Sequence, residues 1–172
     1  MEHQIRVAAP DDLEHIVAII ESGRAYLKAQ GLPQWQNGYG PNRTEAASDM
    51  ERGRGYVLEI AGRAGGYASL IPGPEGSPAL FEGAWAGAGE HYTTIHRVAL
   101  ESAVRGAGLS AAFLEGLIQA AQALGYQDIR IDTHPENVIM QKVIIKTGFQ
   151  YRGVMQLPIP EGERWAYQLL LD

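Results

Sequence analysis

The hydrophobic and polar positions of this 172-residue chain follow two repeats, one of two residues and one of three to four. Alternation over four to eight residues is typical of a half-buried strand, and apolar residues at i, i+3, i+4 and i+7 indicate one face of a helix. The first pattern predicts strands at residues 4–9, 55–61, 63–71, 92–100, 127–133, 149–156 and 164–171. The second predicts a helix that begins at residues 10–12 and further helices at 22–30, 42–52, 109–124 and 136–147. Strands interleaved with helices favour a mixed α/β fold.

Residues 72–89 show no clear periodicity and are rich in glycine and proline, although they contain Phe81 and Trp85. We expect a long loop here, and a long loop inside a compact domain is usually functional or mobile. No internal repeat, low-complexity tract or linker interrupts the chain. A single domain over residues 1–172 is the simplest interpretation.

Composition and charge narrow the possible functions. With 45% hydrophobic and 20% charged residues the chain is typical of a folded domain, and no apolar run is long enough to cross a bilayer. The first residues lack a basic leader followed by an apolar stretch, so we expect a cytoplasmic protein that does not associate with a membrane. A net charge of −6 argues against a nucleic-acid partner. Because there is no cysteine, a thiolate nucleophile, a thiolate zinc site and disulfides are excluded.

A glycine-bearing turn at residues 105–110 joins the predicted strand 92–100 to the longest apolar helical repeat of the second half of the chain. The N-terminus of a helix presents unpaired N–H groups and the positive end of the helix dipole, which together favour a phosphate or diphosphate. Gly106 and Gly108 allow the backbone to approach an anion closely, and Arg105 can add a fixed charge. The turn is therefore a candidate anion site, although many such turns only cap a helix.

Two spaced motifs resemble the GNAT-type N-acetyltransferase superfamily, and the order of the predicted elements is similar along nearly the whole chain. Arg105 and Gly108 match the acyl-CoA pyrophosphate loop of that superfamily, with Ser110 in place of its usual final Gly or Ala. Asn137, followed by the sequence Lys-Thr-Gly-Phe at 146–149, resembles the superfamily's Asn…Lys-x-Gly-Phe helix. The resemblance implies a central mixed sheet with splayed strands flanked by helices. It also implies transfer of acetyl from acetyl-CoA to an amine by direct attack in a ternary complex.

The resemblance implies a cofactor site as well. Backbone groups near Val98 and Leu100 would pair with the pantetheine arm, as an added strand pairs with a sheet edge. A backbone N–H near Val98 would polarise the thioester carbonyl. The adenosine diphosphate would lie over the glycine turn, with Asn137 near the pantetheine and Lys146 near the phosphates. The full predicted set is Val98, Ala99, Leu100, Arg105, Gly106, Ala107, Gly108, Leu109, Ser110, Asn137 and Lys146.

One position departs from the superfamily pattern. Many relatives place a tyrosine seven residues after the helix asparagine, where its hydroxyl protonates the departing thiolate. Here that position is Ile144, which has no proton to donate. Tyr151 and Tyr167 are possible replacement acids, but packing within the late strands also explains them.

An amine with a lysine-like pKa of about 10.4 needs a base, and the histidine pKa lies near working pH. His96 is the first candidate: alternation places it on one strand face with Thr94, Val98 and Leu100, and some arylalkylamine-acetylating relatives have a base at this position. A histidine bonded within the sheet is the alternative. His134, on a predicted face with Asp132, is the second candidate, acting through a water or only ending its strand. These residues lack a metal-binding spacing, so no metal is expected.

Aromatic residues of the early helix and the irregular segments predict an acceptor pocket lined by Tyr26, Trp35, Tyr39, Phe81 and Trp85, unless they plug the core beneath loops. Met140 and Val143 are interpreted as core. A non-catalytic acyl-CoA sensor or interaction module of the same fold is the main alternative function. A dinucleotide enzyme is a weaker one, since the three-glycine spacing is incomplete. The last strand, at residues 165–171, is a candidate sheet edge for a homodimer.

Overall fold

The computed structural model describes residues 2–75, 80–87, 89–106 and 108–172. Its strands are β1 (His3–Val7), β2 (Gly55–Ile60), β3 (Arg63–Pro72), β4 (Leu80–Gly83), β5 (Thr93–Leu100), β6 (Asp128–Thr133), β7 (Gln150–Gln156) and β8 (Glu163–Leu170). Its α-helices are α1 (Leu13–Ala29), α2 (Arg43–Glu51), α3 (Leu109–Ala123) and α4 (Val138–Lys146). None of the described helices is long and apolar enough to span a membrane.

All eight strands form one sheet in the order β1-β2-β3-β5-β6-β8-β7-β4. Every neighbouring pair is antiparallel except β5 and β6, which are parallel. One face carries the larger core, in which Phe113 and Leu117 of α3 and Ile144 of α4 are buried. The other face carries a smaller core with Ile16 and Ile20 of α1. The mixed α/β fold predicted from the sequence is confirmed.

The first helix is longer than the sequence pattern predicts. The predicted helix that begins at residues 10–12 and the predicted helix at residues 22–30 form one continuous helix, α1. A single 3-10 turn at Pro10–Asp12 precedes it. Gly23 lies inside it, where an added Cβ would come within 3.1 Å of the Ala99 side chain and 3.2 Å of Trp35. The glycine therefore permits close packing of α1 on β5 and does not break the helix.

Two predictions about the second half of the chain are wrong. The expected long loop at 72–89 contains the short strand β4, which pairs with β7 and forms one edge of the sheet. The C-terminal strand β8 is not at an edge, because it lies between β6 and β7. A dimer through an edge formed by β8 is excluded by this order, since its backbone groups are already paired on both sides.

The parallel pair β5–β6 separates after three residues. Thr93–Ile95 pair with Ile129–Ile131, and the remainder of β5 continues to Leu100 without β6 beside it. The two strands thus diverge beyond Ile95 and open a wedge in the middle of the sheet. The splayed strands implied by the resemblance are present at this position.

Candidate active site

A cavity of about 580 Å³ fills the wedge and the space beside it. Its wall is built from α1, the segment that follows it, α2, β5, the turn before α3, the first part of α3, β6, α4, the β7–β8 connection and the start of β8. Its lining includes Tyr26, Gln34, Trp35, Tyr39, Glu45, His96, Arg97, Val98, Ala99, Leu100, Arg105, Gly106, Ser110, Asp132, Thr133, Asn137 and Arg164.

The glycine turn forms one end of this cavity. Gly106 and Gly108 have φ angles of +81° and +75°, the left-handed region that suits glycine, and Gly108 is the N-cap of α3. A Cβ added at either glycine would have nothing within 4 Å, so the space over the turn is open. Because glycine supplies no capping side chain, the first N–H groups of α3 are available to an anion. Leu109 turns its side chain into the core, and Ala107 lies outside the described residues.

Arg105 holds the turn against the end of β5. Its Nη2 donates to the Leu100 carbonyl at 2.7 Å and to Ser22 Oγ at 2.8 Å, and its guanidinium lies 4.4 Å from the centre of the Tyr26 ring. Burial lowers the pKa of Arg105 below its usual value. The side chain fixes the turn and places positive charge beside it.

A bulge at Arg97 changes which residues of β5 share a face. Ser69 of β3 pairs with His96, but Tyr67 pairs with Ala99, so β5 carries one extra residue between these pairs. Arg97 has a φ of +58°, which is uncommon for a residue other than glycine. At the bulge, some backbone N–H and carbonyl groups of β5 leave the regular hydrogen-bond pattern with β3, and this part of β5 borders the wedge.

The bulge corrects one prediction about His96. Simple alternation puts His96 on the face of Leu100, yet Ile95 and Leu100 both lie in the larger core, five residues apart. In a regular strand, residues that face the same side are an even number of positions apart, so a separation of five requires the extra residue of the bulge. His96 is adjacent to Ile95 and therefore lies on the other face of the sheet, with Ala99 of the smaller core. His96 therefore shares a face with α1 and α2, opposite to α3 and α4.

A charged network holds the bulge in place. The Arg97 guanidinium donates to Ser69 Oγ and to Glu45 Oε2, each at 3.0 Å, and lies 3.4 Å from Asp49 Oδ2. The Tyr67 hydroxyl donates to Asp49 Oδ2 at 2.8 Å, and burial raises the Tyr67 pKa. These contacts compensate the buried charges and stabilise a backbone conformation that arginine rarely adopts.

His96 stands at the point where β5 and β6 part. Its side chain is 29% exposed, and its Nε2 lies 2.9 Å from Glu75 Oε1. Removal from water lowers the His96 pKa, but the hydrogen bond to Glu75 and the charges of Asp132 and Glu75 outweigh it, so the net pKa is above the usual 6.5. With Nε2 bonded to Glu75, Nδ1 is the ring nitrogen left to accept a proton.

Asp132 of β6 and His96 of β5 occupy the positions directly after the last paired residues of the two strands, because Thr94 pairs with Arg130 and Ile95 with Ile131. It lines the cavity on the same face as His96. Burial raises the Asp132 pKa, while the charges of His96 and Arg164 partly oppose that rise.

Thr133 at the end of β6 and Asn137 before α4 also present polar groups to the cavity. The Asn137 Oδ1 accepts from the N–H of Met140 at 3.2 Å, which caps α4, and its Nδ2 donates to Gln34 Oε1 at 3.3 Å. Among the described residues, Thr133 Oγ1 is buried without a hydrogen-bond partner. A buried hydroxyl normally has a partner, so this part of the wall fits a ligand that carries a hydrogen-bonding group.

The structure gives His134 a different setting. Its Nδ1 accepts from the N–H of Glu136 at 3.1 Å, and its carbonyl accepts from Gln141 Nε2 at 3.3 Å. Burial and the charge of Arg164 lower its pKa. His134 is not among the residues of the cavity wall, and its contacts organise the connection from β6 to α4.

The remaining predicted residues separate into two groups. Tyr26, Trp35 and Tyr39 line the cavity. Arg24 of α1 donates to the carbonyls of Trp35 and Tyr39 and so holds the segment that follows α1 in place. Phe81 and Trp85 lie elsewhere: they stack at a ring separation of 4.7 Å, and Trp85 covers the guanidinium of Arg130 at 4.2 Å. Lys146 ends α4, away from the cavity wall. Met140 and Val143, interpreted as core, line the cavity as well as packing against the core.

Comparison with known proteins identifies this arrangement. The acetyltransferase (GNAT) family model matches residues 21–149. The chain belongs to this family. No curated protein sequence matches significantly. Among solved structures, a GNAT acetyltransferase from Streptococcus agalactiae is 37% identical with a TM-score of 0.88, and the alignment covers 99% of this chain and 96% of that one.

Two further structures share the fold. A GNAT acetyltransferase from Listeria monocytogenes is 21% identical with a TM-score of 0.75, over 99% of this chain and 96% of that one. The yncA protein of Salmonella typhimurium, solved with its cofactor acetyl-CoA, is 22% identical with a TM-score of 0.67, over 99% and 94%. At these identities the likeness establishes the fold alone.

The departure at the family's tyrosine position is visible in the structure. Ile144 is fully buried in the larger core. Tyr167 is buried in the same core and Tyr151 packs edge-on against it, and neither is among the residues of the cavity wall. The phenolic hydroxyls at the described wall come from Tyr26 and Tyr39.

Sequence reasoning did not assign roles to several residues that the fold brings to this GNAT site. Glu75 reaches His96 from a segment interpreted only as loop, and Glu45 reaches Arg97 from α2. Arg164 was placed only at the start of a strand, although it lines the cavity. The sequence carries no signal for Arg164, because alternation places it with Gln168, on the face opposite to Trp165 and Tyr167. Among the described residues, no group of three or more His, Asp or Glu is arranged to hold a metal ion.

Proposed function

We propose that this GNAT protein is an N-acetyltransferase that moves the acetyl group of acetyl-CoA to an amine by direct attack in a ternary complex. The observation that carries the proposal is the wedge between β5 and β6. It has the open glycine turn at one end and the pair His96 and Asp132 where the strands part. The single continuous sheet supports one domain over residues 1–172.

The cavity residues fit acetyl-CoA. The first N–H groups of α3, with Arg105 beside them, would hold the diphosphate. The backbone of Val98–Leu100, which has no strand beside it on the wedge side, would pair with the amides of the pantetheine arm. Asn137 and the unpartnered Thr133 hydroxyl supply further polar groups to that arm.

His96 suits the role of general base. Bound acetyl-CoA supplies an activated acetyl thioester, and the acceptor amine must be neutral to attack it. Removing the proton from an amine of pKa about 10.4 at pH 7 costs roughly 4–5 kcal/mol. His96 accepts that proton at Nδ1, directly or through a water, and Glu75 and Asp132 stabilise the imidazolium. A backbone N–H of the bulge near Val98 donates to the carbonyl oxygen as negative charge develops there.

A non-catalytic acyl-CoA sensor is the second candidate function, and Ile144 favours it. A buried isoleucine at the tyrosine position cannot protonate a leaving thiolate. Under the proposed activity that proton comes from another donor, either water or a phenol of the cavity wall.

Steady-state release of free CoA across a panel of amines distinguishes the two candidates. The acetyltransferase releases CoA in the presence of an accepted amine, and His96→Gln lowers kcat/KM at least about 100-fold while acetyl-CoA binding is retained. His15→Gln, on the exposed side of α1, is the matched control and leaves the rate unchanged. Tight acetyl-CoA binding without release for any amine, unaltered by His96→Gln, would favour the sensor. A cytoplasmic location and a homodimer stay predictions.

A further inference from the structure

Arg164 is a buried cation that faces the cavity. It lies near the start of β8, is only 6% exposed, and belongs to the cavity wall. Its Nη1 donates to the carbonyls of Glu161 and Glu163, each at 2.9 Å. These two bonds use one nitrogen of the guanidinium. No other hydrogen bond of Arg164 to a described residue occurs, which leaves the remaining donors to the cavity.

The other two arginines of the cavity wall have their own partners. Arg97 pairs with Glu45 and Asp49, and Arg105 donates to the end of β5 and to α1. Arg164 forms no ion pair with any carboxylate among the described residues. A buried charge without an ion-pair partner is costly, and a ligand that supplies the opposite charge reduces that cost. The donors left on Arg164 match the geometry of a carboxylate.

Asp132 is the opposite charge on the same face of the sheet. It pairs with Ala166 across the β6–β8 ladder, and Arg164 is two residues further along β8. Diagonal neighbours of this kind have Cα atoms about 7–8 Å apart. The charges of Asp132 and Arg164 influence each other's pKa, yet no hydrogen bond or ion pair joins the two side chains. A small zwitterion between them would satisfy both, with its ammonium toward Asp132 and its anion toward Arg164.

We propose that the acceptor is an amino acid, whose carboxylate is bound by Arg164 while its amine faces Asp132 and His96. This inference rests on the proposed acetyltransferase function and names the acceptor class for the same site. An amine without an anionic group leaves Arg164 unpaired. A polycationic acceptor adds positive charge beside it, which is unfavourable. Leu157 and Ile159 of the β7–β8 connection, which precedes Arg164, also line the cavity and favour an acceptor whose side chain is not charged.

The first test compares matched acceptors. L-phenylalanine and L-leucine are each assayed against their decarboxylated amines and their methyl esters, with acetyl-CoA saturating. The wild-type protein is expected to prefer each amino acid by at least about 10-fold in kcat/KM, since a charge-assisted bond is lost in the other two. Arg164→Gln removes this preference, and Arg164→Lys restores part of it. Arg152→Gln, on the neighbouring strand β7, is the matched control and keeps the preference.

The second test does not depend on turnover. Calorimetry measures binding of the same amino acids and amines to the protein saturated with CoA, which cannot transfer acetyl. Arg164→Gln is expected to weaken amino-acid binding about 10- to 100-fold and to change amine binding less than about 2-fold. A general loss of folding would lower the affinities for amino acids and for amines alike. The ratio of the amino-acid affinity to the amine affinity would therefore stay unchanged.

The outcomes separate the two proposals. Turnover of amines with no preference for amino acids, or equal losses for both ligand classes in Arg164→Gln, overturns the acceptor assignment and leaves the acetyltransferase intact. Amino-acid binding that depends on Arg164 without release of CoA overturns the activity and supports the subsite. Failure of every carboxylate-bearing amine to bind overturns the role of Arg164.

Discussion

The Nε2 atom of His96 lies 2.9 Å from the Oε1 atom of Glu75. The contact fixes the orientation of the imidazole ring and selects the tautomer in which Nε2 carries the proton. It leaves Nδ1 as the basic nitrogen at the point where β5 and β6 separate. A carboxylate that orients a histidine and stabilises its protonated form is a recurrent arrangement for a general base.

Glu75→Gln is expected to lower the His96 pKa. The hydrogen bond and the negative charge of Glu75 both favour the imidazolium, and the amide removes the charge. In the wild-type protein the acid limb of the pH–rate profile lies above pH 6.5, because only neutral His96 accepts a proton. In Glu75→Gln this limb moves to lower pH. NMR titration of the His96 ring, with Glu82→Gln as control, checks the shift independently of the acceptor's own ionisation.

The same contact couples folding to pH with a definite sign. A histidine whose pKa is raised in the folded state contributes stability that is fully present below its unfolded pKa of about 6.5. That contribution is lost as the pH rises through the higher folded value. The stability difference between the wild-type protein and Glu75→Gln, measured by urea unfolding, should therefore be larger at pH 6 than at pH 9. A difference that grows with pH contradicts the assigned direction.

Tyr67→Phe is expected to destabilise the protein by about 1.5–3 kcal/mol, the range for a hydrogen bond to a charged group. Without this hydroxyl, Arg97 is the remaining side-chain partner of the buried Asp49 carboxylate among the described residues. Tyr151→Phe removes a hydroxyl from a half-exposed ring and should cost less than about 0.5 kcal/mol. Denaturant unfolding of both variants measures the difference, and equal losses would argue against the network around the bulge.

Asn137→Ala separates capping from ligand binding. Asn137 caps α4 through the N–H of Met140, and Asn42 caps α2 through the N–H of Glu45 at 3.0 Å. Each alanine variant should lose about 0.5–2 kcal/mol of stability, the usual cost of a lost N-cap. Only Asn137→Ala is expected to weaken CoA binding, because Asn137 lines the cavity. Comparable weakening in both variants would remove Asn137 from the cofactor site.

The extent to which the sequence predicts this molecule differs between the fold and the site. Strands and helices with strong periodicity, such as α3 and β6, lie within a few residues of their predicted bounds. The prediction of two helices in place of α1 is wrong, because the contacts of Gly23 that pack one continuous helix on β5 exist only in the folded chain. The bulge at Arg97 has no sequence signal either, since arginine rarely adopts a positive φ.

The motifs of the proposed cofactor site are local in sequence, so neighbouring residues alone are enough to indicate them. The turn at 105–110 and the N-cap at Asn137 are set by neighbouring residues. The acceptor side depends on long-range contacts: Glu75 reaches His96 across 21 residues, and Glu45 reaches Arg97 across 52. Periodicity does not specify such contacts, so Phe81 and Trp85 were grouped with Trp35 although the fold separates them.

Binding of CoA at the N-terminus of α3 is the central claim, and calorimetry on Gly108→Glu tests it most directly. Gly125, after the other end of α3, is the matched control: both glycines have a positive φ and open space around an added Cβ. Substitution at either costs about 1–2 kcal/mol of backbone strain. The wild-type protein should bind CoA, Gly108→Glu should bind it at least about 10-fold more weakly, and Gly125→Glu should bind within about 2-fold of wild type. A wild-type protein that does not bind CoA, or equal affinity in Gly108→Glu, would contradict the account.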